Sequence, residues 1–175
     1  MSLTKLLAGI LGAALFALAS AGVGSAQTPG LGPLAGDTVT WTVAPSSTDP
    51  VRPGARLTLT LEGTVKDGWH VYGLKQLPGG PIPLRVTVVP GDLAAADGGP
   101  TASPPTRLHD PSFDLDTEVY AHPFTVTAPV RIGAHPATGR QSIPVDVRFQ
   151  TCNGQICQPP KTVRLNAPVT VRADG

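Results

Sequence analysis

Sulfur-containing residues are scarce in this 175-residue chain, which has two cysteines and one methionine. Charged residues are also few, at 14%, and they leave a formal net charge of +1 without a block of like charges. A protein that binds nucleic acid or an anionic membrane surface needs concentrated positive charge, so we expect neither partner. Room for long amphipathic helices is lacking as well, because 20 prolines and 20 glycines are spread along the chain.

The amino terminus has the pattern of a secretory signal peptide. Lys5 precedes the apolar run LLAGILGAALFALASAGVG, and small residues occupy positions 24–26. We expect cleavage after Ala26 and a product without stable membrane insertion, in the periplasm or otherwise exported, with a retained membrane anchor as the alternative. The predicted organisation is a signal peptide over residues 1–26, a flexible Gly/Pro-rich linker over 27–36 and one domain over 37–175. Export implies an oxidising compartment, in which a disulfide persists.

Beyond the linker, apolar and polar residues alternate with a period of two. The alternation is clearest in TVTWTV, ARLTLTLEGTV, LRVTVV, FTVTAPVRI, PVDVRFQT and TVRLNAPVTVRA, with turn residues between these segments. Short alternating segments of this kind predict an all-β fold, specifically an immunoglobulin-like antiparallel β-sandwich. Residues 90–106 and 107–120 lack the same regularity. We therefore predict irregular surface loops there, the second of which carries one large apolar residue, Phe113.

Both cysteines lie in the segment FQTCNGQICQPPKTVRL. Asn153-Gly154 is a strong hairpin signal, so Cys152 and Cys157 are expected to bracket the tip of a β-hairpin. In the preceding strand PVDVRFQTC the apolar residues share one face, and a continued alternation puts Cys152 on the polar face. This position predicts a sulfur atom that is accessible to a partner.

The residues alone leave three explanations of the cysteine pair open. A structural disulfide that closes so short a loop adds only about 2 kcal/mol of stability, against about 4 to 5 kcal/mol for a loop of roughly a hundred residues. A metal site would need ligands from separate loops, because His70, His109, His122 and His135 are all distant in sequence from the cysteines. The third explanation is a redox pair that exchanges its disulfide with a partner thiol, although the C-x-x-C motif of thioredoxins is absent.

Two segments, GWHVYGLKQLPGGPIPLRV and CNGQICQPPKTVRL, resemble the N-terminal periplasmic domain of the thiol:disulfide interchange protein DsbD. The segment between them, FDLDTEVYAHPFTVTAPVRI, corresponds to the cap loop of that family and the strand after it. The resemblance covers the chain from about residue 37 to residue 173. It implies an immunoglobulin-like sandwich with a redox-active disulfide and no cofactor. It also implies an electron relay from a membrane thiol reductase, through a thioredoxin-like protein or domain, to periplasmic disulfide proteins and cytochrome c maturation factors.

The resemblance also assigns residues. It implies that Cys152 and Cys157 are the redox pair, that Cys157 is the cysteine joined to the thioredoxin-like partner, and that Phe113 is the cap-loop aromatic. Because the chain ends at Gly175 without a membrane part, we expect the relay to use separate proteins. The alternative function is a non-redox immunoglobulin-like binding module with an inert hairpin disulfide. The residues predicted to line the site, beside the two cysteines, are Phe113, Asp110, Asp114, Trp69 and Tyr72.

Overall fold

The computed structural model of this protein describes residues 37–172, and the predicted signal peptide and linker lie outside the described residues. Within that segment no helix is long and apolar enough to cross a membrane. Its regular structure consists of β-strands. In chain order they are β1 Val39–Pro45, β2 Arg56–Val65, β3 His70–Tyr72, β4 Arg85–Val88, β5 Ala94–Ala96, β6 Thr101–Ala102, β7 Thr106–Asp110, β8 Leu115–Tyr120, β9 Phe124–Ile132, β10 Gly139–Phe149, β11 Thr151–Cys152 and β12 Lys161–Val171.

The strands form three antiparallel sheets. The largest has the order β1-β2-β9-β5, and β6 also pairs with β9. The second sheet has the order β12-β10-β4 and contains the long pairing of β10 with β12. The third sheet has the order β11-β3-β8-β7. It carries Cys152, the first cysteine of the predicted hairpin, on β11, and the turn with Phe113 between β7 and β8. The strands that carry the candidate site therefore pair in a sheet of their own, separate from the other two sheets.

The alternation in the sequence determines which side of each strand is buried. In β2 every second residue from Leu57 to Val65 is buried, and in β10 Ile143, Val145 and Val147 are fully buried. Each buried aliphatic side chain contributes about 1.5 to 3 kcal/mol when it leaves water, so this alternating face drives the sheets together. The prediction of an all-β antiparallel sandwich is confirmed, and an immunoglobulin-like topology is compatible with the observed sheets.

The prediction of an irregular loop is wrong for residues 107–120 and holds only in part for residues 90–106. Residues 90–106 contain β5 and β6, both of which pair with β9. Residues 107–120 form a hairpin of β7 and β8 whose turn is residues 111–114. Short strands obtain much of their stability from backbone pairing with their neighbours, and therefore need no regular apolar alternation.

Candidate functional site

The two cysteines form a disulfide at the tip of a tight hairpin. Cys152 and Cys157 face each other as an antiparallel bridge, and their Cα atoms lie 4.1 Å apart. The Asn153 side-chain oxygen accepts hydrogen bonds from the amides of residues 155 and 156, at 3.0 Å and 2.8 Å. Gly154 follows with a φ of 82°, a left-handed conformation that glycine adopts without strain. The hairpin predicted from Asn153-Gly154 is confirmed.

The two sulfur-bearing residues differ in exposure. Cys152 is completely buried, whereas Cys157 is partly exposed. The prediction that Cys152 lies on an accessible polar face is wrong, because β10 ends at Phe149 and does not continue through the cysteine. Thr151 and Cys152 belong instead to β11, which pairs with β3 in the third sheet. The chain passes from the second sheet to the third at Gln150. The alternation of buried and exposed side chains along β10 therefore does not extend to Cys152.

A small apolar cluster surrounds the disulfide. Tyr72, Val119 and Cys152 are its buried members, and Leu108, Phe113 and Cys157 pack against it while partly exposed. The Phe113 ring meets the Tyr72 ring edge to face, with 5.9 Å between the centroids. This arrangement is a favourable one for aromatic pairs. Phe113 therefore packs in the cluster that contains the disulfide, and we call this group the disulfide cluster.

The turn that carries Phe113 is held by Asp110. The Ser112 amide donates to Asp110 Oδ1 at 2.8 Å, and the Phe113 amide donates to the Asp110 carbonyl oxygen at 3.3 Å. Asp114 ends the turn with a φ of 51°, which aspartate tolerates better than most residues. Its side chain is 95% exposed and lies 3.3 Å from His109 Nε2. Asp110 and Asp114 therefore differ, since one is buried beneath the turn and the other is at the surface.

Tyr72 connects Asp110 to the disulfide. Its hydroxyl donates to Asp110 Oδ2 at 2.6 Å and lies 3.7 Å from Cys157 Sγ. Burial raises the pKa of Tyr72 far above its ordinary value, and the hydrogen bond and negative charge of Asp110 raise it further. The phenol is therefore a fixed proton donor whose hydrogen reaches either the carboxylate or the sulfur.

Two further polar side chains lie at the site that the sequence pattern did not select. Ser112 Oγ is 3.8 Å from Cys152 Sγ. His70 Nε2 is 3.9 Å from Asp110 Oδ2, and the His70 ring meets the Tyr72 ring edge to face at 5.1 Å. Burial lowers the pKa of His70, and the Asp110 charge opposes that effect. In a strand with the sequence HVY, His70 and Tyr72 lie on the same side. This is the sequence feature that could have identified His70 as a site residue.

Trp69 lies apart from the other predicted site residues. It is partly buried and packs against the main hydrophobic core, while Tyr72 and Phe113 pack in the disulfide cluster. The turn before it contains Gly68 with a φ of 77°, and the Trp69 amide donates to the Lys66 carbonyl oxygen at 3.0 Å. This turn starts β3 and so fixes the strand that carries Tyr72. Among residues 37–172, no group of three or more His, Cys, Asp or Glu side chains is arranged to hold a metal ion.

Comparison with known proteins gives three results. No curated protein sequence matches. Among solved structures, a family 123 glycoside hydrolase from Clostridium perfringens is similar over 78% of this chain, with 8% sequence identity and a TM-score of 0.32, and the match spans 28% of the hydrolase chain. The model of the family described as "Thiol:disulfide interchange protein DsbD, N-terminal" matches residues 42–168, which include all or most of each strand, the disulfide and the turn with Phe113 described above. The chain therefore belongs to the family of DsbD N-terminal domains.

Proposed function

We propose that this domain relays electrons between a thioredoxin-like protein or a membrane thiol reductase and periplasmic disulfide proteins, with Cys152 and Cys157 as its redox pair. Family membership and the disulfide identify a thiol–disulfide exchange domain. The relay partners, among which we include factors of cytochrome c biogenesis, are part of the proposal. The proposal also includes an exported location and the removal of residues 1–26 as a signal peptide. In this role the protein is the protein-disulfide oxidoreductase component of a chain of proteins.

The unequal exposure of the two cysteines is the observation that carries this proposal. Thiol–disulfide exchange needs a sulfur that a partner thiolate can reach in line with the S–S bond. Cys157 is partly exposed, while Cys152 is completely buried. A partner thiolate therefore attacks Cys157 Sγ, the bond between the two cysteines breaks, and the electron pair passes to Cys152 Sγ. A second thiolate of the partner then attacks the partner sulfur of the mixed disulfide and releases Cys157 as a thiolate.

The surrounding residues have separate parts in this proposal. Phe113 covers the disulfide, and the turn that Asp110 and Asp114 define moves to admit the partner. Tyr72 lies close enough to Cys157 Sγ, at 3.7 Å, to donate a hydrogen bond to the thiolate that exchange produces. Trp69 supports β3 from the side of the main core and so holds Tyr72 in place. No residue in this scheme requires a metal or a cofactor.

The hairpin tip also offers an apolar surface to a protein partner. Ile156, next to Cys157 in the chain, is 63% exposed. An exposed large apolar side chain beside a reactive sulfur is a suitable contact for another protein, because burying it on association is favourable. This supports a protein as the partner of the disulfide.

The reduction potential of the pair tests the proposal. We expect a potential well above the roughly −300 mV that is typical of inert structural disulfides, measured by equilibration with a thioredoxin-like protein of known potential. Circular dichroism of the reduced protein should show a retained fold, because the closed loop is short. A lower potential together with unfolding on reduction would instead support a non-redox binding module with a structural disulfide.

A further inference from the structure

His70 lies opposite the buried Cys152 on the neighbouring strand. It has no role in the exchange chemistry described above. His70 on β3 is the register partner of Cys152 on β11. Its side chain is 14% exposed, and its Nε2 atom is buried without a hydrogen-bond partner among the described residues. An unsatisfied buried polar atom costs about 1 to 3 kcal/mol, which an apolar residue in the same place would avoid. A histidine at this position therefore indicates a chemical role.

Three distances connect His70 to the disulfide. His70 Nε2 lies 3.9 Å from Asp110 Oδ2, and the Tyr72 hydroxyl donates to the same oxygen at 2.6 Å. That hydroxyl lies 3.7 Å from Cys157 Sγ. The other carboxylate oxygen, Asp110 Oδ1, accepts from the Ser112 amide at 2.8 Å. Asp110 Oδ2 and the Tyr72 hydroxyl therefore connect the charge of His70 to Cys157 Sγ.

The groups around His70 make Asp110 its principal charged neighbour. On its own strand His70 meets the uncharged Tyr72 ring, and opposite it on β11 is the buried cysteine. On β8, Glu118 lies 3.9 Å from Arg107, so its charge is compensated there. On β7, Asp110 has a side chain that is only 2% exposed. A pair of groups so poorly exposed to water interacts more strongly than a pair at the surface.

We propose that His70 is a positioning residue whose charge sets how readily Cys157 forms a thiolate. When His70 is protonated, its Nε2–H pairs with Asp110 Oδ2, and the Tyr72 hydroxyl is released to donate to the sulfur. When His70 is neutral, Asp110 retains the Tyr72 hydroxyl, and its negative charge opposes a second one on Cys157. His70 acts through Asp110 and Tyr72 and exchanges no proton with the sulfur. This inference rests on the proposed function, since it concerns the thiolate that exchange releases.

The pH dependence of thiol reactivity tests the role of His70. The protein is reduced with a phosphine, and alkylation of Cys157 by iodoacetamide is followed by mass spectrometry from about pH 5 to about pH 9. The variant is His70→Gln, and the matched control is His122→Gln, which makes the same change in an exposed residue of the turn before β9. Below the pKa of His70 we expect the unmodified protein and the control to react about fivefold faster than His70→Gln. At high pH all three rates should agree.

Two results would overturn the role of His70. One is an identical pH profile in His70→Gln and the control. The other is a difference of the same factor at every pH, which a loosened structure would produce. If His70→Gln does not fold, His70→Phe keeps a ring against Tyr72 and should lose the same low-pH advantage. In the unmodified protein, the pKa of His70 from nuclear magnetic resonance must also match the pH at which the rates diverge.

The same samples separate this inference from the proposed function. Alkylation uses chemically reduced protein and therefore needs no partner. Exchange with a reduced thioredoxin-like protein is measured in parallel on the oxidised, unmodified protein. Absent exchange counts against the proposed function and leaves the pH profile as the test of His70. Normal exchange with identical pH profiles removes the role of His70 and leaves the proposed function standing.

Discussion

Two apolar clusters of this domain are built from different kinds of residue. The main core takes its buried members mostly from the first two sheets, and most of these members are aliphatic, such as Leu59 and Val147. The disulfide cluster has three buried members, Tyr72, Val119 and Cys152, and Asp110 is buried next to it. The main core is therefore large and apolar, whereas the disulfide cluster is small, contains hydroxyl and sulfur groups, and borders a buried carboxylate.

The difference shows which part of the domain provides stability and which part provides chemistry. Burial of aliphatic side chains stabilises the fold in proportion to the area removed from water. Burial of a carboxylate such as Asp110 is costly, and hydrogen bonds from Tyr72 and Ser112 only offset the cost. If the third sheet contributed only stability, apolar residues in these positions would stabilise the domain more than Asp110 and its hydrogen-bond partners do. The predictions below test whether the main core provides stability and the disulfide cluster provides chemistry.

The largest expected effect concerns the two cysteines. A partner that lacks its own resolving cysteine should form a stable mixed disulfide with Cys152→Ser, because Cys157 remains accessible. Cys157→Ser should form little or none, since its remaining sulfur is buried. Non-reducing gels and mass spectrometry of the trapped species distinguish the two. Trapping through Cys152 alone would reverse the assignment, and no trapping with either variant would indicate an inert disulfide.

The next effect belongs to the main core. Leu59 is fully buried in β2, so Leu59→Ala should lower the free energy of unfolding by about 2 to 5 kcal/mol. Reduction of the disulfide should lower it by about 2 kcal/mol or less, because the closed loop is short. Urea unfolding of the oxidised protein, the reduced protein and Leu59→Ala measures all three values. A larger loss on reduction than in Leu59→Ala would mean that the disulfide cluster is itself a stabilising core.

A smaller effect is expected for Phe113, which we propose covers the disulfide. Phe113→Ala should increase the rate at which the reduced thiols react with iodoacetamide by about threefold or more, because access limits that reaction. Leu77→Ala, at a residue that is 55% exposed, removes an apolar side chain from the surface and serves as the control. An unchanged alkylation rate in Phe113→Ala, combined with a lower melting temperature, would show that Phe113 only fills space.

The smallest effect is a dependence of stability on pH. Burial lowers the pKa of His70 in the folded protein below the value near 6.5 that it has when unfolded. As the pH falls below that unfolded value, the unfolded chain binds a proton that the folded chain does not, so the free energy of unfolding decreases. Urea unfolding of the oxidised protein at several pH values should show that the free energy of unfolding decreases as the pH falls. His70→Gln should show a smaller decrease. Equal decreases in the two proteins would contradict the assignment.

The sequence predicted the large sheets better than the site. Each alternating segment became a strand, because one buried face and one exposed face are enough to specify it. The hairpin was also predictable, since Asn153-Gly154 has a local preference for that turn. The short strands β5 to β8 were not predictable, because their stability comes from pairing with neighbours that are distant in the chain.

The burial of Cys152 was beyond the sequence for a similar reason. The backbone oxygen of Gln150 accepts from the Tyr72 amide at 3.4 Å, and its side-chain oxygen accepts from the Ile82 amide at 2.9 Å. These two contacts hold the chain where it leaves β10 for β11, and neither partner is near Gln150 in sequence. The position of His70 near Asp110 likewise depends on β3 and β7 lying on either side of β8 in the third sheet, which periodicity does not reveal.

The unequal burial of the two sulfur atoms also has a consequence for damage by peroxide. Oxidation of a reduced cysteine follows its exposure, so the partly exposed Cys157 is the residue that a peroxide meets first. The sulfenic acid formed there lies beside the protected Cys152 thiol, and the two condense to the disulfide with loss of water. The product is the ordinary oxidised form of the pair, and the next exchange with a partner reduces it. We therefore expect the domain to avoid irreversible sulfinic acid formation without help from a repair enzyme.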